Sequence, residues 1–426
     1  MREMKDSGLG YLGIIPANWR IERIKNHLRF SPEKNPGDAT ILSLYREHGI
    51  VPKDSRDDNH NVTSEDTSNY RYVRVGDFVV NKMKAWQGSM AVSDYEGAVS
   101  PAYYVYQFTS DDFDKKYLHY LLRSKCYAEE FRRLSGGIRI GQWDLPKSGF
   151  ETTCVAVPPK EEQIMIVTAI DAQLYKVDTL ISNVQAQIEK LKAYKQSVIT
   201  EVVIKGLDPA VPMKDSELLW FGNIPQHWEL AKVKMFASTC SGGTPPSGDM
   251  SYYDGDVNWV CSYDLREREI TETGKTLSEK GAALIAGELQ SPNSILIAMY
   301  GGSGTIGNSG LLKCYARTNQ AICSVHFDEA VLDPRFAFYQ TMFIRKYWMY
   351  YAVGTRKDPN ISQDVVRNMK YVIPPMEEQL EIVKLLDEKC SQIDRLITIK
   401  QEKIEKLEQY KRSQIYEYVT GKKAVV

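Results

Sequence analysis

The sequence predicts an α+β protein: two mixed, strand-rich domains, each followed by a long helix, with the two helices pairing with each other. Three observations carry that prediction. The chain has 426 residues, more than one hydrophobic core usually supports. Its two halves repeat. Each half ends in a stretch of about 45 residues free of Pro and Gly.

The repeat runs in two registers. Asp6-Ser7 through Ile15-Pro16-Ala17-Asn18-Trp19 returns as Asp215-Ser216 through Ile224-Pro225-Gln226-His227-Trp228, an offset of 209. Val157-Pro158-Pro159-Lys160-Glu161-Glu162-Gln163-Ile164 returns as Ile373-Pro374-Pro375-Met376-Glu377-Glu378-Gln379-Leu380, an offset of 216. The second register holds through Asp171/Asp387, Asp178/Asp394, Leu180/Leu396, Leu191/Leu407, Tyr194-Lys195/Tyr410-Lys411 and Ser197/Ser413. The second globular segment is therefore about seven residues longer. Between these ends the halves align only loosely, as one scaffold carrying two different binding surfaces would. The divisions fall at 1–157 and 207–373 for the domains, with helices at 158–206 and 374–426.

In the first domain, residues 71–80 read as strand, turn and strand, and 115–134 as a tyrosine-rich helical patch. The loop after this strand sets Lys82, Lys84, Trp86 and Gln87 beside Gly88, and Arg139 and Gln142 lie on a later loop. Pro158-Pro159 and the glutamates behind it start a helix, because proline is tolerated in the first turn and acidic groups complement the helix dipole. Gly206 stops it. Leu174, Val177, Ile181, Val184, Ile188 and Leu191 recur at the 3–4 spacing of a heptad seam.

The second domain has a turn and strand at 292–299 and a helical patch at 334–350. Its loops carry Tyr300 and Ser303, then Arg317, Asn319 and Gln320, then Arg356, Lys357 and Asn360. In the last helix Ile393, Ile397, Ile404 and Leu407 continue the seam pattern, with Lys400 at one seam position. Equal lengths and a shared register favour the two helices pairing with each other over each lying on its own domain. Antiparallel pairing relates the units by a pseudo-two-fold axis, at the ends of a rod of roughly 65–70 Å. That length limits the reach between domains to about 20 base pairs.

The loop residues suit nucleic acid. Arg bridges guanine, Asn and Gln bridge adenine, and Lys and Ser serve phosphates. The net charge of −1, from 54 basic and 55 acidic residues, weighs against a stand-alone DNA binder. Basic residues must then be sorted onto one face, or partner proteins must share the grip. No apolar run of membrane-spanning length occurs, and the N-terminal residues lack a signal-peptide core, so a cytoplasmic location is expected. Seven scattered cysteines without a Cys-x-x-Cys pair argue against disulfides and against a zinc site.

Three motif matches fail on context. Gly302-Ser303-Gly304-Thr305-Ile306-Gly307 fits a dinucleotide fingerprint, but a glycine-broken segment follows where a crossover helix is required. Gly274-Lys275-Thr276 lacks the earlier P-loop glycine, and Val157-Pro158-Pro159-Lys160 lacks the flanking residues of a methyltransferase motif. No acid–base or nucleophile constellation is present, so no catalysis by this chain alone is expected.

Two domains that open with Ile-Pro-x-x-Trp and close with Pro-Pro-x-Glu-Glu-Gln before a long helix resemble the DNA-specificity subunit of Type I restriction–modification complexes. The resemblance spans essentially the whole chain. It implies two target-recognition domains, each reading half of a bipartite, asymmetric site on double-stranded DNA. It implies helices that space the domains and dock two methylation subunits, with restriction subunits joining the complex. Cofactors are then absent from this chain, and S-adenosylmethionine, ATP and Mg are expected on the partners. The family's base-contacting residues lie in variable loops, so none transfers by position. A modification-only methyltransferase subunit and a coiled-coil scaffold without DNA are the alternatives.

Overall fold

The computed structural model describes residues 2–45, 49–55, 66–137, 143–301, 304–354 and 359–425. Of the residues singled out above, Arg139, Gln142, Ser303, Arg356 and Lys357 lie outside the described residues. The chain forms two compact units, Met1–Gln185 with Lys400–Val426, and Ala186–Ile399. Each unit therefore combines one globular segment, the first part of the helix that follows it, and the last part of the other helix.

In the first unit β1 (Leu28–Phe30), β2 (Phe78–Asn81), β3 (Met90–Val92) and β4 (Tyr103–Phe108) form an antiparallel sheet in the order β1-β4-β2-β3. The strands expected at 71–80 exist, with Gly76 at φ +89 between them, but they do not pair with each other. Arg71–Val73 pairs instead with Gly97–Val99. The helical patch is two helices, α1 (Lys115–Arg123) and α2 (Lys125–Leu134), separated at Ser124 by an extended backbone. Asp114 caps α1 by accepting from the Lys116 and Tyr117 amides. Tyr117, Leu121, Tyr127 and Phe131 pack on Phe78 and Tyr106 of the sheet. The strand leading in, Arg20–Arg23, pairs with the strand leading out, Cys154–Val157, which runs into α3 (Lys160–Lys205).

The second unit repeats the plan. β5 (Ala237–Ser241), β6 (Arg268–Ile270), β7 (Ile295–Ala298), β8 (Ser309–Leu312) and β9 (Ile322–Phe327) lie in the order β5-β9-β7-β8-β6. The first four in that order reproduce the first unit's sheet, and β6 adds a parallel edge strand beside β8. Sequence divergence in the middles thus conceals a common sheet. α4 (Pro334–Ile344) begins with proline in its first turn and is capped by Asp333. Glu229–Lys232 pairs with Lys370–Ile373, which leads into α5 (Met376–Val419).

The repeated motifs hold helices in place. Gln163 is fully buried; its amide donates to the Asp112 and Pro158 carbonyls at 2.8 and 2.9 Å and accepts from the Asp114 amide at 2.7 Å. Gln379 does the same with Val331, Pro374 and Asp333, at 3.0, 2.8 and 2.7 Å. Asp171 accepts from Tyr120 and Lys116, as Asp387 accepts from Tyr339 and Arg335. Trp19 and Trp228 are fully buried, and each meets the glycine that ends a long helix. A Cβ on Gly421 (φ +70) would stand 2.4 Å from Pro16 and 3.0 Å from Trp19, and one on Gly206 (φ +72) 3.1 Å from Trp228. Each unit so grips the start of its own helix and the end of the other.

The helix ends are core. Ile166, Ile170, Tyr418 and Val419 belong to the first unit's core, and Ile199, Val202, Val203, Ile382 and Leu386 to the second's. In the first unit Val177 and Val184 are buried, while Leu174, Ile181, Ile404 and Leu407 are half-buried. In the second, Ile188 and Ile393 are buried, with Leu191 and Ile397 half-buried. Lys411 Nζ lies 2.7 Å from Asp178 in the first unit, and Lys195 Nζ lies 2.7 Å from Asp394 in the second. Among the described residues no helix is long and apolar enough to cross a membrane.

Candidate nucleic-acid interface

In the first unit the chain leaves β2 at Asn81, whose Oδ1 accepts from the Met83 amide at 3.1 Å. A short 3-10 turn, Ala85–Gln87, follows and closes at Gly88 (φ +75), which packs against the backbone of Arg123. Within this loop the Trp86 indole N–H donates to the Met83 carbonyl at 3.1 Å. Its ring meets Trp143 at 5.5 Å, and Arg132 sits 5.6 Å over the Trp143 ring. Lys82 accepts from the Leu145 amide at 2.9 Å and holds Asp144 at 3.3 Å. Two segments remote in sequence thus converge at one end of the sheet. Lys84 is exposed there, and Lys82, Trp86 and Gln87 are half-buried.

The same convergence recurs in the second unit. Beyond β7, Met299 accepts from the Ile361 amide at 3.0 Å and donates to Ala321 at 2.7 Å, and Tyr300 bridges to Asn360. Tyr300 is 44% exposed. The loop ends at Gly307 (φ +78), packed against the Arg345 backbone and Trp348, as Gly88 packs on Arg123. Arg317 donates to the Gly287 carbonyl, the Asn319 oxygen accepts from the Ala321 amide, and Gln320 accepts from Thr244. These three side chains hold the loop as well as lining it. Tyr300, Asn319, Gln320 and Asn360 come together; Arg317 sits further along, beside Gly287.

The chemistry offered is cationic, amide and aromatic. No group of three or more His, Cys, Asp or Glu that could hold a metal occurs among the described residues. Every cysteine is free. Burial pushes the thiols of Cys126, Cys261, Cys314 and Cys390 up, and that of Cys323 to about 12, so none of these five is an activated nucleophile. Sequence reasoning missed Trp143 as the partner of Trp86, and Gln163 and Gln379 as clamps. An indole beside a basic loop and an amide inside a helix-start motif were the available signals.

Residues 225–409 match the family model described as the Type I restriction modification DNA specificity domain. Over 96% of its length the chain is 25% identical to the Type I restriction enzyme MjaVIII specificity subunit of Methanocaldococcus jannaschii, covering 93% of that protein. It is 23% identical, over 96% of its length and 95% of the relative, to the putative type I restriction enzyme MjaX specificity subunit of the same organism. A solved chain from work on complex assembly and conformational transition of the type I R-M system superposes with a TM-score of 0.65 at 15% identity. That likeness covers 95% of this chain and 98% of the other, and it is a likeness of fold.

Proposed function

We propose that the chain is a Type I restriction–modification DNA-specificity subunit whose two units each read one half of a bipartite, asymmetric DNA site, a reading supported by the family match over residues 225–409 and by the full-length likeness to specificity subunits. One observation carries this reading. In each unit the sequence-divergent loops converge at the same end of a repeated sheet, whereas the repeated residues grip helices. Fixed parts set geometry, and variable parts face a ligand. As a specificity subunit the chain is not itself an enzyme. The loops of Lys82–Gln87 and Tyr300, with Asn319, Gln320 and Asn360, are the readers in this proposal, and the recognition domains run over 1–157 and 207–373.

The helices serve as spacer and dock. Asp178 meets Lys411 and Lys195 meets Asp394, so one helix advances as the other recedes, which supports antiparallel pairing. The two pairs are copies of each other in the 216-residue register, which supports a pseudo-two-fold relation. Ile164/Leu380, Leu180/Leu396 and Tyr194/Tyr410 are large apolar residues, exposed at 45–56%, that repeat in that register. Exposed apolar groups present in duplicate suit a partner that docks twice. In this reading the partners are two methylation subunits carrying S-adenosylmethionine, with ATP- and Mg-dependent restriction subunits added in a full complex.

The test compares methylated motifs in host DNA, by single-molecule sequencing, with and without this chain. A split motif that depends on the chain is expected. Replacing residues 20–150 should change one half of it, and replacing 235–370 only the other. A swap that altered both halves would end the one-unit-per-half reading, and absence of any dependent motif would end the DNA reading.

A further inference from the structure

In the first unit, Trp86 and Gln87 of the reader loop line a cleft of about 720 Å³ together with the last part of α5 and the α1–α2 junction. Three cations, Arg123, Lys125 and Arg412, line it against one acid, Glu129. The Lys125 and Arg412 side chains are 83% and 63% exposed, and their carboxylate neighbours stand off at 3.7 and 4.0 Å. Ion pairs that open to water contribute little, so both cations remain available to a stronger anion. Arg123 donates to His119 Nε2 at 3.0 Å. Burial, with Arg123 beside it, holds that imidazole at a pKa of about 3, so the ring accepts as a neutral base and leaves the guanidinium charge intact.

The register of the repeat bears on the kind of ligand. α3 keeps Tyr194 and Ser197 where α5 has Tyr410 and Ser413. It carries Ala193, Gln196 and Thr200 where α5 places Gln409, Arg412 and Tyr416. A protein that docks identically on both units needs its contacts in duplicate, and Arg412 has no duplicate. DNA read as two unlike half-sites has no such requirement, because each end is gripped by its own unit with its own contacts. The cleft also shares its lining with the reader loop, so a duplex on that loop brings its backbone alongside.

We propose that this cleft binds the DNA phosphate backbone flanking the first half-site, with Arg412 and Lys125 as phosphate ligands. The spacer helix α5 is then part of the grip on DNA at one end only. The proposal rests on the reading of the Lys82–Gln87 loop as a DNA reader. It also reconciles a net charge of −1 with DNA binding, because the cations are sorted locally.

The experiment uses the complex with its methylation subunits, on a duplex carrying the split motif assigned by methylation mapping. Dissociation constants are measured between about 50 and 200 mM salt. Arg412→Gln should flatten the slope of log Kd against log salt by about 0.9, and Arg412→Gln with Lys125→Gln by about twice that. The methylated motif should stay the same. An unchanged slope would overturn the assignment, as would loss of the methylation subunits on purification, which would make the cleft a protein-docking surface. Lys82→Gln with Lys84→Gln separates the two levels. If that pair leaves motif and affinity untouched, the loop reading fails; if it acts and Arg412→Gln does not, only the cleft assignment falls.

Discussion

Gln379 has no solvent access, and it joins three backbone groups from two segments: the Asp333 amide and Val331 carbonyl ahead of α4, and the Pro374 carbonyl ahead of α5. Leucine would fill similar volume and leave all three unpaired. Each buried orphan costs about 1–3 kcal/mol, so Gln379→Leu should destabilise the protein by about 3 kcal/mol or more, read as a shift of the denaturant midpoint. Gln163→Leu should match it, since its contacts are the same set. A loss below about 1 kcal/mol at both sites would show that the clamp is dispensable. The sequence made the surrounding helix start legible, because proline and acidic residues act locally. It hid the clamp, because Gln163 and Gln379 bond residues 49 and 46 positions away. Trp86 was legible as a loop aromatic for a similar reason, and its partner Trp143 was not.

Among elements, the long helices were the most legible and the sheets the least. Stretches free of Pro and Gly behind a proline-glutamate start announce the helices, and within them Val177, Val184, Ile188 and Ile393 are buried. β2, β7 and β8 are buried at every position, so they lack the alternation that marks a half-exposed strand. The helix ends also escaped the seam pattern: Ile199, Val202 and Val203 face a globular core rather than a partner helix. Helix pairing makes a testable statement about charge. Lys411→Asp sets like charges together at Asp178 and should destabilise; adding Asp178→Lys should restore stability. Asp178 and Lys411 are 54% and 31% exposed, so the coupling in a double-mutant cycle should be about 0.5 kcal/mol. Zero coupling here and at Lys195/Asp394 would mean that the helices do not meet in solution as the ion pairs indicate.

At the scale of the whole molecule, the proposed function makes helix length a measure of DNA. A heptad adds about 10 Å of helix, which corresponds to up to about three base pairs. It must enter both helices at facing positions, or the pairing slips. If Asp178 faces Lys411 and Lys195 faces Asp394, the facing points are after Ala186 in α3 and after Glu402 in α5. Insertions of seven residues there preserve the seam phase. They also lie clear of the Gln163, Gln379, Trp19 and Trp228 contacts, so both readers keep their internal geometry. Methylation mapping with the double insertion should then return both half-sites unchanged and a gap longer by up to about three base pairs. Insertion into α3 alone should abolish modification rather than lengthen the gap, because the ion pairs and the seam cannot both re-form. An unchanged gap with the double insertion would mean that the partners, not these helices, set the spacing. Altered half-sites would mean that the readers depend on helix length, against the division of fixed and variable parts on which the reading rests.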